Sequence, residues 1–165
     1  MAEPAHLAYI GVGSNLGDRL RLCQDALLAL DRVPGCRVVG RSAWYLTEPV
    51  GTPCPYWFVN GAVAVETLLG PRALLRRLQG IEAAFRRMPA ERWGPRSLDL
   101  DLLLYDDLIL EDRTLVLPHP RLHERRFVLL PLAELCPDRV HPGRRETVKA
   151  LLAALPEGPA VLRIW

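Results

Sequence analysis

Two aspartates, Asp99 and Asp101, have the residue type and spacing best suited to chemistry in this chain. Apolar residues at 98, 100, 102 and 104 alternate with polar ones at 97, 99 and 101, which predicts a β-strand with one apolar face. On such a strand both carboxylates point the same way, with their Cα atoms about 6–7 Å apart. Because Mg²⁺ prefers carboxylate oxygen and leaves room for phosphate oxygens, the pair predicts a site for hard cations.

The residues before the strand decide between this interpretation and a simpler one, a half-exposed strand whose polar face is acidic. Trp93-Gly94-Pro95 is a rigid turn that leads directly into the strand, and Arg92 and Arg96 flank it. Polyphosphate chemistry needs cations to neutralise the phosphate chain and arginines to bind its oxygens. The stretch 91–105 therefore favours a polyphosphate site.

Composition limits the class of protein. The 165 residues predict one domain, residues 1–165, and a net charge of +2 gives no reason to expect nucleic acid or an anionic membrane as partner. The four cysteines form no Cys-x-x-Cys pair, which argues against a zinc or redox motif and fits a reducing cytoplasm. We expect neither a signal peptide nor a membrane helix, since the apolar run 7–12 is short and the uncharged run 49–65 contains three prolines.

Two common nucleotide-binding motifs do not fit. Gly11, Gly13 and Gly17 lack the spacing of a dinucleotide-binding fingerprint. A P-loop needs a lysine after its glycines, and Lys149, the single lysine, lies far from any such run. If the protein uses ATP, it does so outside these two frameworks.

Strand and helix patterns alternate along the chain. We predict strands over 7–12, 36–45 and 56–67, helices over 18–31 and from 71 onward, and then the acidic strand. A short strand or strand pair over 108–117, a helix over 146–155 and an edge strand over 161–165 follow. This order predicts an α+β fold with one mainly antiparallel sheet and helices packed on it.

Two further groups of polar residues have two interpretations each. Asn60 lies in an otherwise apolar strand, so its amide either satisfies local backbone groups or binds a ligand. His119 is held in a Pro-His-Pro corner and is followed by Arg121, Arg125 and Arg126. That basic run is either a solvated face or an anion site.

Several motifs together resemble the 6-hydroxymethyl-7,8-dihydropterin pyrophosphokinase family. They occur in that family's order over residues 7–135 and comprise 13–17 (GSNLG), 47–51 (TEPVG), 58–60 (FVN), 92–101 (RWGPRSLDLD), 118–120 (PHP) and 125–127 (RRF). The resemblance implies a ferredoxin-like fold and an enzyme of folate biosynthesis. It implies transfer of pyrophosphate from ATP to the hydroxymethyl oxygen of a reduced pterin, leaving AMP.

The resemblance also assigns roles at the phosphate end of the site. Asp99 and Asp101 match ligands of two Mg²⁺ ions, with ATP as co-substrate. The residues that match ATP or phosphate contacts are Arg92, Trp93, Arg96, His119 and Arg125, and Glu82 matches a helix position near the nucleotide and metal. Catalysis is assigned to Asp99, Asp101, Arg96 and Arg125.

A flat pterin needs an aromatic slot and a few fixed polar groups. Phe58 and Phe127 match the stacking positions, and Asn60 matches the amide that contacts the ring edge. The backbone around Thr47 and Val50 matches the remaining ring contacts. Trp93 is assigned to this substrate as well as to ATP.

The chain departs from the family pattern at two places. Where many members carry Gly-Arg-x-Arg before the Trp-Gly-Pro turn, the stretch 85–89 reads Phe-Arg-Arg-Met-Pro, so either Arg86 or Arg87 replaces the first arginine. Pro120 stands where the family often has tyrosine, which removes a ring contact.

Small-molecule partners, a monomer with a single activity, and no nucleic-acid or membrane partner complete the expectation. Two other functions compete with it. One is a different metal-dependent phosphoryl or nucleotidyl transferase on the same fold, and the other is a non-catalytic ferredoxin-like binding module.

Overall fold

An antiparallel sheet dominates the computed structural model, which describes residues 5–49, 56–87 and 98–164. The strands are β1 (His6–Ser14), β2 (Cys36–Arg41), β3 (Tyr45–Thr47), β4 (Phe58–Thr67), β5 (Asp99–Tyr105), β6 (Leu110–Glu111), β7 (Val116–Leu117) and β8 (Val161–Arg163). The α-helices are α1 (Arg19–Asp31), α2 (Pro71–Arg87), α3 (Arg126–Leu135) and α4 (Val148–Ala154). A 3₁₀ turn, Leu122–Glu124, precedes α3.

The strand order is β5-β1-β4-β3-β8. On the same side of β4, β3 pairs with residues 58–60 and β2 pairs with residues 63–67. With β2 and β3 counted as one interrupted strand, the first six elements form the βαββαβ arrangement of a ferredoxin-like fold. The predicted α+β class is confirmed. The short pair β6–β7 forms a separate hairpin within the range predicted for it.

The predicted strand over 36–45 is interrupted in the structure. The chain bends at Ser42, whose backbone N–H donates to Ala62 O at 2.9 Å and whose Oγ accepts from Ala62 N at 2.8 Å. The bend buries the Trp44 side chain against Gly61, where a Cβ atom would lie 2.6 Å from the indole ring. The prediction of one continuous strand over 36–45 was therefore wrong. Strand pairing stops between β2 and β3, where the chain bends to bury the Trp44 side chain.

Helices cover both faces of the sheet and bury two hydrophobic cores. The first core lies on the α1 and α2 face and includes Ile10, Leu30, Leu74, Leu78, Leu98, Leu100 and Leu102. The second lies on the α3 and α4 face and includes Tyr9, Leu103, Leu104, Leu129, Leu132 and Leu151. Within the described ranges, no helix is both long enough and apolar enough to cross a membrane.

The acidic strand alternates as predicted only as far as Leu102. Its register against β1 shifts between Tyr9 and Ile10, where β5 has one extra residue. A bulge of this kind reverses the alternation. Leu104 was expected on the face of Leu98, and it packs in the second core instead.

The predicted helices begin close to where local signals place them. The Asp18 carboxylate accepts from Arg21 N at 3.3 Å and caps α1, and Leu74 N donates to Gly70 O at the start of α2. The Asp106 carboxylate accepts from Leu7 N at 2.8 Å and contacts His6, which ties the end of β5 to the start of β1.

Helix α3 is fixed to the sheet at its C-terminal end by Glu134. One Glu134 oxygen accepts from Ala43 N at 2.7 Å, and the other accepts from the Tyr45 hydroxyl. The N-terminal end of the same helix lies beside the cleft described below. Helix α3 thus connects the bend at 42–44 with the candidate site, with Pro131 between its two ends.

Two glycine-to-alanine variants should change stability in opposite directions. Gly61→Ala places a methyl group inside contact distance of the buried Trp44 ring, and overpacking of this kind costs about 1–3 kcal/mol. Gly80→Ala lies in exposed helix with no heavy atom within 4 Å, and it should stabilise by about 0.5–1 kcal/mol. Urea denaturation measures both, and a neutral Gly61→Ala would contradict the packing described for Trp44.

Candidate active site

The register of three neighbouring strands places the predicted polar residues in rows on one face of the sheet. Gly13 on β1 pairs with Asn60 on β4 and with Asp99 on β5. Gly11, two residues earlier on β1, pairs with Asp101. Since directly paired residues share a face, Asn60 and both aspartates project from the same side of the sheet.

The two glycines keep this side open between the polar residues. A Cβ atom on Gly13 would collide with the Asn60 side-chain oxygen, and one on Gly11 would contact Leu103 at 3.5 Å. Farther along β1 the same face carries Tyr9, which α3 and α4 cover. This face of the sheet, the floor of the site, is therefore covered by packed core at Tyr9 and open at Gly11 and Gly13, which have no side chains.

A cleft of about 540 Å³ lies above this floor. The sheet provides its base, the turn before α3 and the start of α3 form one wall, and the segment 155–161 forms another. Its polar and aromatic lining residues include Thr47, Glu48, Phe58, Asn60, Asp99, Asp101, Arg121, Arg125, Arg126, Phe127 and Glu157. Seven of the predicted site residues, Thr47, Phe58, Asn60, Asp99, Asp101, Arg125 and Phe127, thus lie around one cavity.

The carboxylate pair carries an electrostatic cost without a cation. Partial desolvation in the cleft, and then repulsion from Asp101, raise the pKa of Asp99 above its ordinary value. Glu82 lies close enough to add to the negative charge, and desolvation together with the same aspartates raises its pKa as well. A cation between these oxygens would remove the cost.

Glu82 contacts the strand itself. Its Oε1 accepts from Leu100 N at 2.7 Å, so it satisfies a backbone donor on the outer edge of β5 between the two aspartates. Glu82 does not line the cleft, although the charge of Asp99 acts on it and the charge of the exposed Arg86 acts on Asp99. Its assignment to cofactor binding stays a prediction.

Arg121 and Arg125 form the basic side of the cleft, and His119 lies close to them without lining it. Arg121 N donates to His119 Nδ1 at 3.2 Å, which places the proton of the neutral ring on Nε2. Burial, opposed by Asp101 and assisted by Arg125 and Arg121, lowers the pKa of His119. Burial and then Arg121 also lower the pKa of Arg125, so a bound anion would offset a cost that the empty site carries.

The other end of the cleft suits a flat ring with polar edges. Asn60 Nδ2 donates to Thr47 Oγ1 at 2.6 Å, which fixes the amide orientation and leaves its oxygen beside Gly13. Phe58 and Phe127 line the cleft from the sheet and from α3. The Arg125 guanidinium carbon lies 5.6 Å from the centre of the Phe127 ring and links the aromatic end to the basic one.

Some predicted residues cannot be compared with the structure. Val50, Arg92, Trp93 and Arg96 lie outside the described residues, and the Arg87 side chain does as well. Their roles stay predictions.

No site role was predicted for Glu48, although it lies within the 47–51 motif, or for the segment 155–161. Both line the cleft, and they meet only because β8 pairs with β3.

The donor chemistry fits a hard divalent cation. Among the described residues no group of three or more His, Cys, Asp or Glu side chains could hold a metal ion. Two carboxylates alone leave positions for water and substrate oxygens, which is how Mg²⁺ is usually bound at phosphate sites. Asp99 and Asp101 are the residues that would hold it.

Comparison with known proteins agrees with this geometry. Residues 9–137 match the family model described as 7,8-dihydro-6-hydroxymethylpterin-pyrophosphokinase (HPPK). A 2-amino-4-hydroxy-6-hydroxymethyldihydropteridine pyrophosphokinase of Methylorubrum extorquens is 49% identical over 148 residues, which covers 90% of this chain and 92% of that protein. The Pseudomonas aeruginosa enzyme of the same name is 43% identical, covering 90% of this chain and 91% of that protein.

Solved structures agree on the fold. An HPPK-DHPS chain crystallised in complex with substrates superposes with a TM-score of 0.74 at 13% identity. The match covers 92% of this chain but 43% of that one. Wild-type HPPK-DHPS of Plasmodium falciparum superposes with a TM-score of 0.73 at 15% identity, covering 93% of this chain and 45% of that one.

The family match extends over more than half of the residues, and the sequence relatives cover nearly the whole chain. The chain belongs to the 7,8-dihydro-6-hydroxymethylpterin-pyrophosphokinase family.

Removing one charge from the acidic pair should stabilise the ligand-free protein at neutral pH. Because the folded-state pKa of Asp99 is raised, ionised Asp99 destabilises the fold, and Asp99→Asn removes this penalty. The gain should be absent below the unfolded-state pKa of about 3.9 and should develop as the pH rises through the folded-state value. Denaturation of both proteins across that range measures it.

Asp112→Asn is a control of opposite sign. The Asp112 carboxylate accepts from Thr114 N and Leu115 N and pairs with Arg72, and these contacts lower its pKa. Its neutralisation should therefore destabilise the protein at neutral pH, with the loss shrinking as the pH falls below about 3.9. Equal effects of the two substitutions would contradict the described charge distribution.

Proposed function

We propose that this chain transfers pyrophosphate from ATP to the hydroxymethyl oxygen of 6-hydroxymethyl-7,8-dihydropterin, giving AMP and the pterin diphosphate in folate biosynthesis. The observation that carries the proposal is the row Asn60–Gly13–Asp99. It sets an amide and a carboxylate on one open floor, two strand spacings or about 10 Å apart, and we assign the amide to the ring and the carboxylate to the metal. A flat ring and a phosphate tail can thus lie along the same cleft.

In the proposed reaction the substrate hydroxyl oxygen bonds to the β-phosphorus of ATP. The bond between that phosphorus and the oxygen bridging to the α-phosphate breaks, AMP leaves, and the hydroxyl proton is lost. Mg²⁺ held by Asp99 and Asp101 would supply charge neutralisation and orientation of the phosphate oxygens. This transfer requires no covalent bond to the protein.

The chain's own residues divide between binding and orientation. Arg125 and Arg121 stabilise negative charge on the phosphates, and neutral His119 donates from Nε2 to a phosphate oxygen. Asn60, fixed by Thr47, contacts the ring edge and sets which way the ring lies. Phe58 and Phe127 cover the ring faces and exclude water from the reacting oxygen.

The proposal also includes the cofactor and the state of the protein. We propose two Mg²⁺ ions, a single domain over residues 1–165, a monomer, and no nucleic-acid or membrane partner. Cytoplasmic location is supported by the free thiols of Cys23, Cys36 and Cys136.

Product analysis tests the activity directly. Incubation with Mg-ATP and 6-hydroxymethyl-7,8-dihydropterin should give AMP and the pterin diphosphate, identified by mass. Asp99→Ala should lower kcat about a hundredfold or more, because a preorganised charge at the phosphates is lost. Release of ADP in place of AMP would disprove the proposed reaction.

Asp107→Ala is the matched control for that variant. Asp107 follows the same strand, its side chain is 87% exposed, and it faces Arg139 away from the cleft. Its kcat should stay close to wild type. Circular dichroism of both variants checks that the fold is retained.

Phe127→Ala should separate the two substrates. Ring stacking is worth about 0.5–1.5 kcal/mol beyond buried area, so pterin affinity should weaken several-fold or more while ATP affinity changes little. Phe127→Leu keeps apolar area without the ring and should give an intermediate loss. Isothermal titration with each ligand measures this, and equal losses for pterin and ATP would count against the assignment of Phe127.

A further inference from the structure

The segment 155–161 forms a wall of the cleft although it lies beyond residues 9–137, the part of the chain that matches the family model. It connects the end of α4 to β8 and contributes Leu155, Pro156, Glu157, Gly158, Pro159 and Val161 to the lining. Its contacts show how a segment with little secondary structure is held against the site.

The segment is attached at both ends. At one end, the Arg126 guanidinium donates to Leu155 O at 3.4 Å. At the other, Glu48 N donates to Ala160 O at 3.0 Å, and Ala160 N donates to the Glu48 carboxylate at 3.0 Å. Beyond that point, β8 pairs with β3 through Val161 and Thr47.

These attachment points belong to the two elements that hold the ring end of the cleft. Arg126 is the first residue of α3 and precedes Phe127. Glu48 follows Thr47, the residue that fixes the Asn60 amide. The segment 155–161 therefore spans from the aromatic wall to the strand that orients the ring-binding amide.

The carboxylate of Glu48 has a specific part in this connection. Beyond the Thr47–Val161 pair, the backbone supplies one bond, from Glu48 N to Ala160 O, and the Glu48 side chain supplies the other, from Ala160 N to its carboxylate. Side-chain identity at position 48 therefore decides whether Ala160 N has this acceptor. A backbone contact alone would tolerate any residue there.

We propose that Glu48 is a positioning residue for the pterin, acting through its bond to Ala160 N to hold the segment 155–161 as the fixed second wall of the ring end. This inference rests on the proposed pyrophosphokinase function. Glu48 touches neither the metal pair nor the phosphate-binding arginines in the described contacts. Its effect should therefore fall on the pterin and not on ATP.

Steady-state kinetics of Glu48→Ala and Glu48→Gln test the proposal. Glu48→Ala should raise KM for the pterin about three- to tenfold, the range expected for loss of one hydrogen bond, with KM for ATP and kcat within about twofold of wild type. Glu48→Gln removes the charge but keeps a side-chain oxygen as acceptor. It should stay within about twofold of wild type for both substrates.

Ala160→Pro gives an independent test from the other side of the bond. Proline removes the backbone donor and keeps the carbonyl that accepts from Glu48 N, and the position immediately before an edge strand tolerates it. It should raise KM for the pterin as Glu48→Ala does. The double variant should be no worse than either single one, because both remove the same interaction.

The outcomes separate failure of this inference from failure of the proposed function. A wild-type protein that forms no pterin diphosphate would overturn the function itself. A wild type that turns over, with pterin KM unchanged in Glu48→Ala, would overturn the positioning role alone. Parallel rises in both KM values, effects that multiply in the double variant, or unfolding of Glu48→Ala seen by circular dichroism would also overturn it, since each indicates a general structural role.

Discussion

The register of β1 against its two neighbours is the constraint on which the site depends. β1 has glycines at positions 11 and 13. It lies between β4, which carries Asn60, and β5, which carries both aspartates. A slip of one residue would turn the carboxylates and the amide to the opposite face, where α1 and α2 bury the core. Core packing on that face therefore fixes both the fold and the direction in which the functional groups point.

The site has an acidic group and a basic group of side chains, and in the ligand-free protein the charged form is disfavoured in both. The ionised forms of Asp99 and Glu82 are disfavoured on one side, and the charged forms of Arg125 and His119 are disfavoured on the other. A cation alone would relieve only the first group, and an anion alone only the second. A metal–polyphosphate complex carries both charges in one ligand and would relieve both groups at once.

Local patterns predicted much of this structure because the relevant signals are local. The alternation around Asp99 and Asp101 predicted the acidic strand, and Gly70-Pro71 marked the start of α2. The bulge after Leu102 depends on the register of a different strand, and the bend at Ser42 depends on Trp44 finding Gly61 across the sheet. The contact between Glu48 and Ala160 joins residues 112 positions apart, so no window of sequence could indicate it.

The attachment of α3 through Glu134 connects the 42–45 bend to the wall of the cleft. Its ten residues extend about 15 Å, with the Ala43 and Tyr45 contacts near one end and Phe127 at the other. A displacement at the Glu134 end reaches Phe127 through the helix except for the part absorbed at Pro131, which lacks the backbone amide that would continue the hydrogen bonds. A substitution at the 42–45 bend can therefore shift the wall of the cleft that carries Phe127 without altering any residue that lines the cleft.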